Sequence, residues 1–290
     1  MKNSTITLFA LFLIASFTAN AQKQPQVQEI SVRAPDNIKI DGKLNEWPNK
    51  FLNAYNSTDR IYYVMSNDDN NLYLTIRGMG NGVAKKAIAG GLTLTISHSV
   101  EKKARVKAAD NVYITFPVPQ DGKTTAGIMG VVNQVADFND DTLANRKQID
   151  SIVAIANKRI NDAMKEIRVV GVKEVPDSVI SIYNTQGIKA AAQFIKMQPI
   201  IELAIPLKYL GLSVDNPVKF SYNIKLSAIP ESNQPGAPVV VDMAMPAPVV
   251  ISASNSGMIA PPIPVMGMNP NNGYAFNSTD FWGEYTLVKK

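Results

Sequence analysis

Short segments in which apolar and polar residues alternate recur along most of the chain. In segments 72–77 and 92–97 the even positions are aliphatic, whereas the odd positions are mostly polar. Because successive side chains of a β-strand point to opposite faces, this period of two predicts strands with one buried face. Between turn signals, strand character also predicts strands at 38–41, 61–66, 112–116, 168–172, 179–183, 188–194, 200–205, 218–228 and 280–288.

Two local patterns refine this succession of strands. The Asn/Asp-rich segment 67–71 predicts a turn, and therefore a hairpin over 61–78. Between 143 and 167, apolar residues recur at helical spacing with charged residues opposite, which predicts one long amphipathic helix. Since such stripes usually face their own core, we interpret this helix as a structural insertion rather than a partner-binding element. Pro206 opens a single predicted helical turn at 206–210.

The segment 230–270 differs in composition from the rest of the chain. It contains nine of the eighteen prolines and five of the eleven methionines. Proline removes backbone donors and is rare inside sheets, so we predict a long flexible loop over 230–277. We interpret the loop as a spacer, with docking of another protein through 230–270 as the alternative. The alternating segment 280–288 then forms the predicted closing strand.

The first 21 residues have the architecture of an export signal. Lys2 precedes an apolar run over 6–17, and Ala19-Asn20-Ala21 forms a small-x-small cleavage site. The run is shorter than the ~20 apolar residues that span a bilayer, and no later segment is apolar and long enough to do so. We therefore expect a signal peptide at 1–21, a β domain at 22–290, and location in the periplasm or at the cell surface.

Composition narrows the functional classes. The 290 residues are 46% apolar, which is enough for a core, and their net charge of +5 is scattered, so we expect no nucleic-acid partner. The absence of cysteine excludes disulfides, thiolate metal sites, cysteine nucleophiles and a lipoprotein cysteine. A single histidine, His98, makes a multi-imidazole zinc site hard to build.

No motif in the sequence predicts catalysis. Carboxylate pairs such as Asp68–Asp69 and Asp140–Asp141 stand in turns, where they are normally solvated. The glycine-rich segment 78–82 lacks the lysine, the spacing and the following helix of a nucleotide loop, so we interpret it as a flexible loop leading into 83–89. We predict a protein that is not an enzyme and has no catalytic residues.

Four short motifs follow one another in a specific order. They are IDGKLNEW at 40–47, YYV at 62–64 followed by NDDNNLYL at 67–74, ELAIPL at 202–207 and DFWG at 280–283. This order resembles the family-nine carbohydrate-binding modules and the wider DOMON-like β-sandwich superfamily, particularly secreted representatives from Bacteroidetes-type bacteria. The resemblance implies an all-β fold of two antiparallel sheets in a jelly-roll-like sandwich. It also implies a sugar or a haem as ligand, with calcium in some members.

The sugar-binding hypothesis depends on aromatic residues, because pyranose rings stack on indole faces and hydrogen-bond to polar groups beside them. The chain has two tryptophans, Trp47 and Trp282, and Glu46 adjoins the first. These three are the candidate ligand-binding residues. Packing of each indole in the core is the alternative interpretation.

Two further ligands have candidate residues. Asp68, Asp69 and Asn70, with Asp41, offer the oxygen ligands that suit calcium, although an Asx turn explains the loop residues equally well. The resemblance to cytochrome-type DOMON proteins implies Met65 and His98 as axial ligands of a haem. A core methionine and an exposed turn histidine are the competing interpretations.

We therefore favour a secreted, non-catalytic module that binds carbohydrate. The alternative is an envelope structural or protein-interaction module without sugar binding, and the third hypothesis is a haem-binding module. Exposed aromatic residues beside polar groups on one sheet face would favour the first, whereas a smooth aliphatic face with a docking loop would favour the second.

Overall fold

The structure, a computed structural model, describes residues 24–47, 53–135, 143–175, 178–196, 198–230 and 275–290. These residues are mostly β and form two antiparallel sheets of five and six strands. Across the described ranges, no helix is both long and apolar enough to cross a membrane. The predicted signal peptide at 1–21 lies outside them, as does the predicted loop 230–277 except for its ends.

The two sheets have complex strand orders. The first runs β1-β2-β3-β9-β8, with β1 (Ala54–Asn56), β2 (Ile61–Asn67), β3 (Asn71–Gly78), β9 (Gln198–Pro206) and β8 (Lys189–Ile195). The second runs β11-β10-β4-β5-β6-β7, with β11 (Thr279–Thr286), β10 (Lys219–Leu226), β4 (Leu92–Ser97), β5 (Val112–Phe116), β6 (Glu166–Val170) and β7 (Val179–Ser181). The predicted hairpin is confirmed, because β2 and β3 pair antiparallel.

Helical segments connect several of the strands. They are α1 (Asn81–Lys85), which continues as a π turn (Lys86–Gly90), α2 (Ala104–Lys107), α3 (Gly122–Val135), α4 (Leu143–Ala163) and a 3-10 turn (Leu207–Leu210). The helix α4 ends four residues before the predicted limit at 167, because Glu166–Val170 pairs with β5 as a strand.

Two local predictions are wrong. The segment 38–41 is not a strand: Ile38 and Ile40 pack against Tyr73 on the outer face of the first sheet, so their alternation reflects burial without strand pairing. The expectation that no helix follows the glycine-rich segment 78–82 is also wrong, because only Met79 and Gly80 lie between β3 and the start of α1. Its small apolar side chains are buried in the main core, and burial at helical spacing favours a helix there.

One hydrophobic core receives side chains from both sheets. Alternate residues of β2, β3, β4 and β10 belong to the same buried cluster. Within it the hydroxyls of Tyr63 on β2 and Tyr222 on β10 lie 2.9 Å apart and form a hydrogen bond. Burial raises the pKa of both phenols, so both stay protonated at neutral pH and the bond joins the two sheets through their centre.

A buried glutamine closes the space beside these tyrosines. The Gln28 side chain donates to the Met65 carbonyl and accepts from the Met65 N–H, both at 2.8 Å. The backbone N–H of Gln28 donates to the Tyr63 hydroxyl. An amide side chain thus replaces a neighbouring strand where β1 no longer pairs with β2. Without it, a buried backbone donor and acceptor would lack partners.

The last strand is fixed at both ends. At its start, the Lys86 ammonium donates to the Thr279 hydroxyl at 2.6 Å, and that hydroxyl donates to Asp59. Burial raises the pKa of Asp59 to about 6 and lowers that of Lys86 to about 8. Just beyond its end, Asn67 donates to the Val288 carbonyl and accepts from the Val288 N–H, both at 2.9 Å.

Gly283 and Tyr222 set the register of this strand. They face each other in the β10–β11 pairing, and a Cβ at position 283 would overlap the Tyr222 ring. Glycine is therefore required for lack of space, not for an unusual backbone angle. Since side chains alternate along the strand, Trp282 points away from the core.

Gly283→Ala should destabilise the protein by about 1–3 kcal/mol, because the added methyl group forces the buried Tyr222 ring to move. Gly130→Ala is the matched control: Gly130 lies in α3 with open space around it, so the same change should stabilise by about 0.5–1 kcal/mol. Urea denaturation of both variants measures the difference. Equal effects at the two positions would contradict the contact with Tyr222.

Candidate functional site

Trp282 lies at the end of a polar row on the outer face of the six-stranded sheet. The pairing registers place Trp282, Asn223, Thr95 and Tyr113 side by side on β11, β10, β4 and β5. Trp282 and Tyr113 are partly exposed, whereas the two polar residues between them are buried. At a strand spacing of about 4.8 Å, the two rings stand roughly 14 Å apart across the sheet.

Arg105 lies directly over the Trp282 ring. Its guanidinium carbon is 4.7 Å from the indole centroid, within range of a cation–π interaction. The short helix α2 carries this arginine, and the Asn111 amide holds the helix by donating to the Arg105 carbonyl at 2.8 Å. The guanidinium is thereby in contact with an aromatic ring.

A groove of about 480 Å³ opens beside this pair. We call it the Trp282 groove; it lies between the edge strand β11 and the extended segment 27–31, with Lys102, Arg105, Lys219, Trp282 and Glu284 in its lining. Lys219 and Glu284 form an ion pair at 3.4 Å. An aromatic surface and both signs of charge thus meet in one cleft.

Several buried polar atoms near this groove have no hydrogen-bond partner among the described residues. They are the side-chain amide oxygen of Asn111, the Arg105 Nε and the hydroxyls of Ser97 and Ser221, two residues that face each other across β4 and β10. Buried polar groups are nearly always paired, with protein, water or ligand. Such atoms occur elsewhere in the described chain as well, for example at Ser66 and Thr75, and ordered water is their ordinary partner.

The other candidate ligand residues lie in a turn segment that packs against the five-stranded sheet. Trp47 is 8% exposed and packs with Val64 under the segment that covers the first sheet, so its indole is not accessible to stack on a sugar. Glu46 adjoins it, with one carboxylate oxygen buried and unpaired among the residues described. The structure therefore does not bring Trp47 and Trp282 together.

Glu202, on β9, joins two of the sequence motifs. Its Oε2 accepts the N–H groups of Asp41 at 3.0 Å and Gly42 at 2.8 Å. Gly42 has φ +75°, and a Cβ there would lie 2.7 Å from the Gln193 side chain, so glycine is required in this turn. Burial raises the pKa of Glu202 to about 8, against the two N–H bonds that lower it, and the charges of Asp41 and Glu46 raise it further.

The candidate calcium ligands stabilise their own turn. The Asp68 carboxylate accepts the N–H groups of Asn70 and Asn71, at 2.7 and 2.6 Å, and the Tyr73 hydroxyl at 2.6 Å. Burial alone would raise the pKa of Asp68, but these hydrogen bonds outweigh it and lower the pKa.

The remaining candidate ligands are engaged elsewhere. Asp69 pairs with Arg33 at 2.6 Å, and Asp41 accepts the Lys43 N–H at 2.9 Å. Within the described ranges, no three His, Cys, Asp or Glu residues are grouped so as to hold a metal ion. An Asx turn accounts for the contacts of the loop.

The candidate haem ligands are likewise engaged. Met65 is fully buried in the main core on β2. The His98 ring contacts the Asp110 carboxylate through Nδ1 at 3.0 Å and the Leu210 carbonyl through Nε2 at 2.8 Å. Both ring nitrogens therefore have protein partners in this arrangement, and neither is left for iron.

Sequence reasoning identified Trp282 but missed the residues around it. Arg105 and Lys102 stand in a polar segment with no periodic pattern, and the four-residue helix α2 is too short to produce one. Glu202 stands in one of the quoted motifs, ELAIPL. The feature that could have identified it is a charged residue in a strand whose neighbouring residues are apolar. A charge inside an apolar strand requires a specific partner.

Comparisons with known proteins do not identify the chain. No family model matches it, and no curated protein matches it.

Glu202→Gln should remove a pH dependence of stability. The folded state holds the Glu202 proton up to about pH 8, whereas the unfolded chain releases it near pH 4.5, so the stability of the wild type falls as the pH rises through this window. The glutamine oxygen still accepts both N–H bonds and carries no charge.

Urea midpoints at pH 5, 7 and 9 measure the effect, with the exposed Glu166→Gln on β6 as the control. The Glu202 variant should gain stability relative to the wild type as the pH rises, and the control should not. A constant difference between the Glu202 variant and the wild type would show that Glu202 is ionised in the fold.

Proposed function

We propose that the chain is an exported, non-catalytic module that binds carbohydrate in the Trp282 groove. The observation that carries the proposal is a partly exposed indole at the edge of a 480 Å³ groove with charged and polar side chains around it. Sugars combine apolar C–H faces with dense hydroxyl groups, so they are bound by an aromatic surface flanked by hydrogen-bonding groups.

We further infer that the two sheets pack face to face as a jelly-roll-like β-sandwich. The single buried cluster shared by both sheets and the hydrogen bond between Tyr63 and Tyr222 support this arrangement. In such a fold the outer sheet faces are free for ligands, and the polar row from Trp282 to Tyr113 lies on one of them.

The chemistry of the groove favours binding over cleavage. Glycoside hydrolysis requires two carboxyl groups on either side of the scissile bond, one of them a proton donor. The groove carboxylates are Glu29 and Glu284, both exposed to solvent, and Glu284 is paired with Lys219. Neither carboxylate lies in the enclosed, apolar surroundings in which the acid of a glycosidase is held. Export is supported by the signal architecture of residues 1–21.

Trp282→Ala should weaken saturable glycan binding by residues 22–290 by about 2 kcal/mol or more, which is roughly thirtyfold, because an aromatic residue at the centre of a binding site contributes on that scale. Tyr183→Ala is the matched control, since Tyr183 is an exposed aromatic residue, 75% accessible, outside the groove. A glycan array with and without calcium, followed by titration calorimetry of each positive glycan, measures the binding.

The proposal fails if the wild type binds no glycan in either condition, or if both aromatic variants lose binding equally. In the first case, a visible absorption spectrum of the same sample tests the haem alternative. A colourless protein without glycan binding would leave the envelope interaction module as the remaining hypothesis.

A further inference from the structure

We propose that the Trp282 groove selects acidic glycans, and that the Arg105 guanidinium binds the carboxylate of a uronic acid unit. This inference rests on the proposed function, since it names the class of glycan bound at the same site. It is carried by the charge of the groove and by the way Arg105 is held.

The groove has more positive than negative charge available to a ligand. Three cationic side chains line it, those of Lys102, Arg105 and Lys219, against the carboxylates of Glu29 and Glu284. Lys219 is paired with Glu284. Among the described residues, Lys102 and Arg105 form no ion pair, and segment 101–107 carries three lysines and one arginine against the single carboxylate of Glu101.

Arg105 is oriented before any ligand arrives. The guanidinium carbon lies 4.7 Å from the indole centroid, and the Asn111 amide donates to the Arg105 backbone carbonyl. A planar guanidinium presents parallel N–H donors that match the two oxygens of a carboxylate. Because the side chain is already immobilised, little conformational entropy is lost when that carboxylate binds.

One donor of Arg105 is also unsatisfied. Its Nε is buried, with no acceptor in the part of the chain that the structure describes. That atom is enclosed by protein, so a ligand carboxylate would bind the terminal N–H groups of the guanidinium instead.

A neutral sugar would be less well accommodated at this position. To stack near Trp282 it must displace water from Arg105 without supplying a counter-charge, and burying an uncompensated charge is unfavourable. A uronic acid places its carboxylate on the guanidinium while its ring contacts the aromatic edge. The arrangement therefore discriminates by charge within one class of polymer.

Polygalacturonate and its fully methyl-esterified form are the matched probes, since they share a backbone and differ in charge. Titration calorimetry at 50 and 200 mM NaCl should show about tenfold or tighter binding of the acidic form, with alginate as a second uronate and dextran as a neutral polymer. Arg105→Gln should abolish the preference for the acid. Arg105→Lys should retain part of it, because the charge remains but the fork is lost.

Lys189→Gln is the control for general electrostatic attraction, because it removes one positive charge from the exposed strand β8 of the other sheet. It should leave binding unchanged. An equal loss of uronate affinity in Lys189→Gln and Arg105→Gln would overturn the inference. So would tighter binding of dextran sulfate than of either uronate, if both substitutions reduced that binding equally.

The outcomes separate the two proposals. If the methyl ester or dextran binds as tightly as the acidic polymer and Trp282→Ala removes that binding, the groove is a sugar site without charge selection, and only this inference fails. If no glycan binds at either salt concentration, the proposed function fails with it. Circular dichroism of each variant confirms that lost binding does not reflect unfolding.

Discussion

The position of the candidate site depends on one close contact in the core, that of the Tyr222 ring against Gly283. The ring occupies the space a side chain at 283 would need, and its hydroxyl bonds to Tyr63 on the other sheet. A strand that slipped by one residue would turn its whole set of side chains to the opposite face. Tyr222, whose hydroxyl joins the two sheets, thus also keeps Trp282 on the outside, beneath Arg105.

Local pattern was sufficient to predict most strands, because alternation of side chains is a property of neighbouring residues. It succeeded for the hairpin of β2 and β3 and failed at 38–41, where Ile38 and Ile40 alternate because they cover a sheet. It also missed α1, whose small apolar residues are buried at the end of the core. Alternation and helical spacing report which side chains are buried, and pairing has to be established by contacts distant in sequence.

The candidate site was only partly predictable because local sequence patterns do not show which distant residues meet in the fold. Both tryptophans stand in motif segments, yet Trp47 is packed against Val64 and Trp282 is partly exposed. Which indole faces solvent depends on the segment that covers the first sheet and on the register of β11, and neither is encoded in the motif around the tryptophan. Arg105 was invisible for a related reason: it reaches Trp282 across 177 positions of sequence, from a helix of four residues. The electrostatic partnership of Glu202 with the turn at Gly42 is equally non-local.

The segment between β10 and β11 begins and ends at one place. Ile229 donates its N–H to the Ala275 carbonyl at 3.1 Å, and the strands on either side are paired along their whole length. Because the ends are held together by the fold itself, the number of residues joining them has little influence on where Trp282 stands. This position is therefore permissive for evolution: insertions, deletions or an added domain can accumulate there while the rest of the chain is conserved in shape.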